Sequence, residues 1–474
     1  AVACVAAVAL LVGALVLVTR AGSEQAGASS PEEAAADVFA AIENEDLVAL
    51  AGLILPSERR TLAEPGFEII DELVRLELLD SSLDLASLNG IDIQIDGLEY
   101  RVDPVPGADD MREIVIEGGT ITTASVGEEL PIGPALRDRF GDEIDKLDAR
   151  GSGDLDAVAD SEFSPILVED DGRWYLSFWY SVAESARRGL GAGDIPARAD
   201  VVPAVGADSP EGAIDALIAA ASDLQLDDML AMLDPDEAAA LYRYSPLFLE
   251  DAQRALDDVL DEFDATNLHW SVDDIEYETE ADGDVARVEI VAFRANVVAD
   301  DVTVDVEYSP TVLSVDVSDG RETYRVDVTI DDGVISVDGN LAGEPLRGEI
   351  TVTPESISGW GEFEDRRITG SATLDPAGEC SPYVVAYDDD TEEGCLEDEL
   401  GDSAELVGIG LESMSDFTLP TPTLVVTRTD GEWYFSPLLT LSDVVLGYLR
   451  STDAETVAAQ LDRFEDLMNL GLEF

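Results

Sequence analysis

The sequence is poor in three residue types that enzymes use often. Its 474 residues include one histidine, His269, one lysine, Lys146, and three cysteines. A histidine-based catalytic triad or a metal site of several histidines therefore cannot be assembled. The nucleophile motif Ser-x-x-Lys is excluded, because Glu143 stands three residues before Lys146. The Gly-x-Ser-x-Gly motif of hydrolases is also absent.

Positive charge is scarce as well. The chain has 26 basic and 104 acidic residues, which gives a formal net charge of -78 at pH 7. Such a chain repels the phosphates of nucleic acid, so nucleic-acid binding is excluded as a function. Hydrophobic residues nevertheless make up 46% of the chain, so we predict a folded protein with an acidic, solvated surface rather than a disordered polyanion.

The cysteines predict one disulfide bond. Cys4 lies within an apolar run, which leaves Cys380 and Cys395 in the rest of the chain, on either side of an acidic loop. A bridge that closes a loop of about 15 residues stabilises a fold by roughly 3 kcal/mol. Two isolated thiols or a metal-binding pair are the alternatives. The acidic run 388–393 lacks the spacing of an EF-hand loop and predicts a solvated turn, so we expect no metal and no cofactor.

The first residues are strongly apolar. The run from Ala1 to Val18 is ended by Thr19 and Arg20, and as a helix it would measure about 27 Å, close to the thickness of a bilayer. We predict a membrane anchor or signal segment at residues 1–19 and a tether at 20–29, with the bulk of the chain extracytoplasmic. A signal peptide cleaved after residues 26–28, which would make the protein secreted, is the alternative.

Two helix starts repeat 179 residues apart. Ser30-Pro31-Glu32 and Ser209-Pro210-Glu211 each place serine at an N-cap, proline at the first helical position and acid in the first turn. The apolar residues that follow have helical spacing in both copies. The sequence therefore predicts two amphipathic helices, each of which opens one half of the protein.

The two halves also end alike. Asp171-Gly172-Arg173-Trp174-Tyr175 in the first half matches Asp430-Gly431-Glu432-Trp433-Tyr434 in the second, and Asp-Gly predicts a hairpin turn. The stretch before this ending is about eighty residues longer in the second half, and its alternating valines and isoleucines predict a β-meander.

These patterns predict an α+β protein of two tandem domains, in which helices precede a curved antiparallel sheet. The first domain covers residues 30–188, a glycine-rich linker covers 189–208, and the second domain covers 209–474 with a β-rich insertion at about 310–415. The run Gly189-Leu190-Gly191-Ala192-Gly193 belongs to the linker, because it lacks the strand and helix that flank a phosphate-binding loop.

The opening Ser-Pro-Glu and the closing Asp-Gly-x-Trp-Tyr resemble those of nuclear transport factor 2-like, or cystatin-like, domains found in extracytoplasmic anchored proteins. This resemblance implies a helix-covered sheet with a cone-shaped pocket. Isomerases of that superfamily use a buried carboxylate with a tyrosine or a protonated aspartate, but the fold hosts many binding modules too.

We therefore expect a non-catalytic extracytoplasmic binding protein, held at the membrane, whose partner is a protein or a small apolar ligand. An isomerase or dehydratase with a carboxylate base is the alternative, and an accessory factor of envelope assembly is a third. The sequence names no catalytic residue. The recurring Tyr100 and Tyr277, and Trp174 and Trp433, predict shared core packing, and His269 predicts a structural role beside Trp270.

Overall fold

The protein is α+β, with helices followed by antiparallel sheets. The computed structural model describes residues 27–155, 164–196, 201–262, 268–331, 333–341, 343–353, 356–363, 366–373, 382–387, 390–395, 419–458 and 461. The predicted segment 1–19 and most of the tether lie outside these residues. Within the described ranges, no helix is long and apolar enough to cross a membrane.

The principal helices, in chain order, are α1 Pro31–Glu43, α2 Leu47–Gly52, α3 Glu64–Arg75, α4 Pro134–Ile144, α5 Phe178–Gly189, α6 Pro210–Ser222, α7 Leu226–Ala231, α8 Ala239–Tyr244, α9 Leu249–Glu262 and α10 Pro437–Ser451. The strands are β1 Ile91–Val105, β2 Ala108–Ser125, β3 Ala149–Asp154, β4 Ile166–Asp170, β5 Arg173–Ser177, β6 His269–Asp282, β7 Val285–Ala299, β8 Val302–Ser309, β9 Val312–Ser318, β10 Thr323–Asp331, β11 Val334–Leu341, β12 Glu344–Thr353, β13 Ser356–Phe363, β14 Arg366–Thr373, β15 Pro382–Tyr387, β16 Asp390–Cys395, β17 Thr423–Thr429 and β18 Glu432–Phe435.

The chain forms two compact units that do not follow its order. Unit 1 consists of Ala1–Gly206, Leu230–Asp251 and Val425–Phe474, and unit 2 consists of Ala207–Met229 and Ala252–Leu424. Two segments of the predicted second domain thus belong to unit 1. The predicted domain boundaries, which rest on the sequence repeat, stay a prediction.

The predicted helix starts are confirmed. The Ser30 hydroxyl accepts a hydrogen bond from the Glu33 N–H at 3.2 Å, and the Ser209 hydroxyl accepts one from the Gly212 N–H at 3.1 Å. Both helices carry proline in their first turn, where its missing N–H costs nothing. Each helix therefore begins where the sequence placed it.

Unit 1 is built around a sheet with the order β1-β2-β4-β5, in which β3 also pairs with β2. The hairpin β4–β5 turns at Asp171 and Gly172, whose positive φ angles of 47° and 75° suit the predicted two-residue turn. Helix α1 packs on this sheet. The buried residues of the contact are Ala34, Ala35, Val38, Ile114, Leu167, Trp174 and Leu176.

Unit 2 contains the predicted meander. Strands β6 to β16 are antiparallel, and each is the spatial neighbour of the next in sequence. Helix α6 packs on β6 and β7. Its link to β6 includes a hydrogen bond of 2.6 Å from the Tyr277 hydroxyl to the Asp215 carboxylate. Polar and apolar residues alternate along these strands, so the two faces of the sheet differ in chemistry.

One irregularity recurs in both units. Strand β1 changes register between Asp96 and Glu99, and β6 changes register between Asp273 and Glu276. A residue between each pair, Gly97 or Asp274, has a positive φ, as a β-bulge requires. The matching Leu-Glu-Tyr and Ile-Glu-Tyr segments of the sequence follow these bulges.

Candidate functional site

A buried glutamate caps helix α5 in unit 1. Glu58 is 2% exposed. Its carboxylate accepts hydrogen bonds from the Ser177 hydroxyl, from the Phe178 N–H at 2.7 Å and from the Trp179 N–H at 3.1 Å. It thereby satisfies N–H groups that the first turn of a helix leaves without partners, at the positive end of the helix dipole.

Glu237 caps α10 in the same way and is 6% exposed. The Ser436 hydroxyl donates to its carboxylate, and the Leu438 N–H donates to the other oxygen at 2.8 Å. Both glutamates follow a short parallel bridge, Ile54 with Leu176 in one case and Leu233 with Phe435 in the other. The two caps are therefore the same local structure made twice.

The sequence carries a signal for these caps that we did not use. Pro56-Ser57-Glu58 and Pro235-Asp236-Glu237 lie 179 residues apart, the same separation as the two helix starts. Their serine partners each stand two residues after a Trp-Tyr pair. Because glutamate and serine are common in this chain, only the repeat separation distinguishes these from other carboxylates.

Burial changes the acidity of both glutamates. Loss of hydration raises the pKa of Glu58 to about 7, against the hydrogen bonds from Ser177 and the two backbone N–H groups. It also raises the pKa of Glu237 to about 7, against the bonds from Ser436 and Leu438. Near Glu237, the charge of Asp234 raises this pKa further and that of Arg60 lowers it.

Glu237 differs from Glu58 in one respect, because it lines a pocket. The pocket has a volume of about 480 Å³, which is within the usual range for small-molecule sites. Its wall is mainly apolar and comes from α5 and the residues after it, from residues 233–248, and from the start of α10. The lining residues are Trp179, Val182, Ala183, Ala186, Arg187, Leu190, Ala192, Leu233, Glu237, Ala238, Ala240, Leu241, Tyr244, Leu247, Phe248, Pro437 and Leu438.

The polar groups of this wall are held by internal bonds. The Tyr244 hydroxyl donates to Glu184 at 3.0 Å, and burial raises the pKa of this tyrosine. Arg187 donates twice to Glu184, at 2.7 and 2.8 Å. Neither Tyr244 nor Arg187 is thus positioned to meet Glu237 across the pocket, and the wall presents mainly hydrocarbon.

One polar atom of the pocket residues has no partner. The indole N–H of Trp179 (Nε1) is buried and donates to no acceptor in the described part of the chain. A buried donor without an acceptor is costly, and such groups in native proteins call for an explanation. A ligand that carries a hydrogen-bond acceptor would satisfy it.

The residues singled out in the sequence lie elsewhere or serve packing. Trp174 and Trp433 are buried, with Arg112 over the first ring and Arg428 over the second, as the predicted core role requires. Tyr100 packs against Phe39, with ring centroids 5.1 Å apart. His269 is an exposed residue at the start of β6.

The glycine-rich segment predicted as a linker takes part in the site. Leu190 is 79% exposed and lines the pocket together with Ala192. The Arg187 guanidinium fixes this segment, because it donates to the Ala192 and Gly193 carbonyls at 3.3 and 2.7 Å. Sequence reasoning missed this contribution because glycine content alone does not show what a loop packs against.

The predicted disulfide falls partly outside the described residues. Cys395 ends β16, opposite Pro382, while Cys380 is not described, so the bridge stays a prediction. Most of the acidic run 388–393 is likewise not described in full. In the ranges that the structure covers, no group of three or more histidine, cysteine, aspartate or glutamate residues could hold a metal ion.

Comparisons with protein-family models, with curated proteins and with solved structures find no match to this chain.

Proposed function

We propose that this protein is a non-catalytic binding protein whose unit 1 pocket takes a small, largely apolar ligand with one hydrogen-bond acceptor. The pocket itself is the observation that carries the proposal: about 480 Å³ of space bounded mainly by hydrocarbon, beside the unsatisfied indole N–H of Trp179. Burial of apolar surface would supply the affinity, and the acceptor would orient the ligand.

The contacts of Glu237 support binding rather than catalysis. Both of its carboxylate oxygens accept hydrogen bonds from the helix start, so neither is directed at the pocket as a free base. Glu58 has the same arrangement away from the pocket. A feature that appears in both places is explained by helix capping, without a reaction.

An isomerase or dehydratase is the second candidate, and one observation favours it. The pKa of Glu237, about 7, is suited to a general base at neutral pH. Tyr244, the tyrosine of the pocket, already donates to Glu184, so the oxyanion donor that such chemistry needs would have to come from the ligand-bound state. Turnover that Glu237→Gln abolishes, without loss of ligand affinity, would favour this candidate.

The fold supports the rest of the proposal at the level of analogy. Serine-capped helices before an antiparallel sheet, repeated with the same bulge and the same Asp-Gly hairpin, fit two cystatin-like domains. Attachment to a membrane from its outer side rests on the apolar run 1–18 alone. Fractionation of cells that express the full chain, with protease added outside intact cells, tests both attachment and side.

The binding test uses the neutral fluorescent probe N-phenyl-1-naphthylamine with the full chain. Ala186 lines the pocket and is exposed, so Ala186→Trp adds a large side chain at the pocket without removing a core contact. We expect it to weaken the binding phase of this pocket at least tenfold. The matched control is Ala36→Trp, at an exposed position of α1 outside the pocket.

A second readout locates the probe. The chain has five tryptophans, so 5-fluorotryptophan gives few fluorine signals, and Trp179→Phe assigns the one of interest. We expect the probe to shift the Trp179 signal most strongly. Equal affinities of the two tryptophan variants, or an unchanged Trp179 signal in the presence of bound probe, would refute the proposed site.

A further inference from the structure

One face of the unit 2 sheet is apolar across several strands. Cross-strand partners lie on the same face of a sheet, and the observed registers bring together residues of five neighbouring strands. From β11 to β15, this face carries Ile335, Val337, Leu346, Gly348, Ile350, Val352, Ile357, Gly359, Gly361, Phe363, Ile368, Gly370, Ala372, Tyr383, Val385 and Tyr387. We call it the apolar face.

Four glycines cross this apolar face in a diagonal row. Gly348 of β12 is opposite Gly361 of β13, and Gly359 of β13 is opposite Gly370 of β14. A Cβ atom added at Gly361 or Gly370 would approach no other atom closer than 3.8 Å, so the space above them is open. A cavity of about 580 Å³ lies over the row. We call this cavity the glycine trough.

The charged residues of these strands are on the other face. Arg347 pairs with Asp338 at 3.3 Å, and Arg367 lies over the ring of Trp360 at 4.7 Å. These residues alternate along their strands with the residues of the apolar face. The apolar side chains beside the trough remain partly open to solvent, since Ile368 is 47% exposed and Ile350 is 42% exposed.

We propose that the glycine trough binds one hydrocarbon chain of a soluble single-chain amphiphile. The shape fits, because same-face neighbours in a sheet stand about 5 Å apart, so a row without side chains leaves a channel about one side chain wide. The charge fits too, since the face offers no ionic partner and the protein's net charge of -78 repels an anionic head group. The head group is therefore uncharged.

The experiment uses the full chain, a pyrene-labelled long-chain alcohol as probe, and fluorescence anisotropy. Gly370→Ile places a branched side chain in the open space of the trough, and β-branched residues suit a strand. The matched control is Thr369→Ile, one residue away on the opposite face. We expect Gly370→Ile to weaken binding at least tenfold and Thr369→Ile to leave it unchanged.

The variant Ala186→Trp separates this site from the unit 1 pocket. Binding of the alcohol should survive in Ala186→Trp and be lost in Gly370→Ile, whichever way the test of the pocket turns out. The circular dichroism and the melting temperature of Gly370→Ile must match those of the control, so that lost binding reports a filled trough.

Three results would overturn the proposal. Equal affinity of Gly370→Ile and Thr369→Ile would place the probe elsewhere. Cosedimentation with phosphatidylcholine vesicles, without binding of the soluble alcohol, would make the apolar face a membrane contact. A concentration-dependent mass in sedimentation, lost in Gly370→Ile, would make it an interface between two copies of this chain.

Discussion

Glu58 and Glu237 occupy equivalent places 179 residues apart, and each caps the helix that follows a Trp-Tyr hairpin. Glu58 accepts three hydrogen bonds and Glu237 accepts two. The missing donor has a simple cause, because the place of Phe178 is taken by Pro437, which has no N–H. The second cap is thus the weaker one.

The weaker cap is also the one that faces the pocket. Pro437 and Leu438, which follow Ser436, both line the cavity beside Glu237, whereas Trp179, which follows the first cap, contributes its ring to the wall. The comparison shows how one repeated element can serve packing in one place and border a site in the other. The three predictions below test that difference, from the largest effect to the smallest.

Removal of each carboxylate should show the difference in donors directly. Glu58→Ala leaves three donors unpaired in a buried place, and we expect it to lower the free energy of unfolding by about 3 kcal/mol. Glu237→Ala leaves two, and we expect about 2 kcal/mol. Chemical denaturation measures both, and Glu64→Ala, an exposed position of α3, is the control. A larger loss at Glu237 would contradict the comparison.

The raised pKa values predict a defined pH dependence. A carboxyl whose pKa rises from 4.5 to about 7 on folding holds a proton in the folded state that the unfolded state has released. Its stabilising contribution is therefore complete below pH 4.5 and is lost as the pH rises through 7, by up to roughly 3 kcal/mol per group.

Glutamine cannot titrate, so Glu58→Gln and Glu237→Gln should each flatten the decrease in stability between pH 4.5 and 7. Denaturation midpoints measured across that range, for the wild type and both variants, check this. The flattening should be of similar size at the two positions, because the pKa values are similar. Parallel curves for the wild type and a variant would show that the pKa of that glutamate is not raised.

Pro437→Ala should bring the second cap closer to the first. The substitution supplies a backbone N–H at the position where Phe178 donates to Glu58. An added donor favours the ionised carboxyl, so we expect a lower pKa of Glu237 and a change of less than about 1 kcal/mol in the free energy of unfolding. Carbon NMR of labelled glutamate, assigned with Glu237→Gln, follows this pKa. An unchanged pKa would mean that the new N–H does not reach the carboxylate.

Much of the local structure was predictable because it depends on neighbours in sequence. Serine, proline and glutamate at a helix start, or Asp-Gly at a hairpin turn, set their own backbone geometry. The starts at Ser30 and Ser209 and the turn at Asp171 were placed correctly for this reason. Alternation of apolar and polar residues likewise predicted the meander.

The candidate site was not predictable in this way. Glu58 and Ser177 are 119 residues apart, and Glu237 and Ser436 are 199 apart, so nothing local joins them. The pocket assembles α5, residues 233–248 and the start of α10, and the glycine trough needs the register of three strands. Single glycines such as Gly361 and Gly370 form a row only when that register is known.

The sequence by itself therefore determined where helices, turns and strands begin, and that the surface is acidic, since these follow from short-range bonding and composition. The tertiary structure alone decided which of its many carboxylates are buried, which of two equivalent caps borders a cavity, and which glycines align. The physical reason is that burial, pKa and open space depend on what packs around a residue, and those neighbours come from distant parts of the chain.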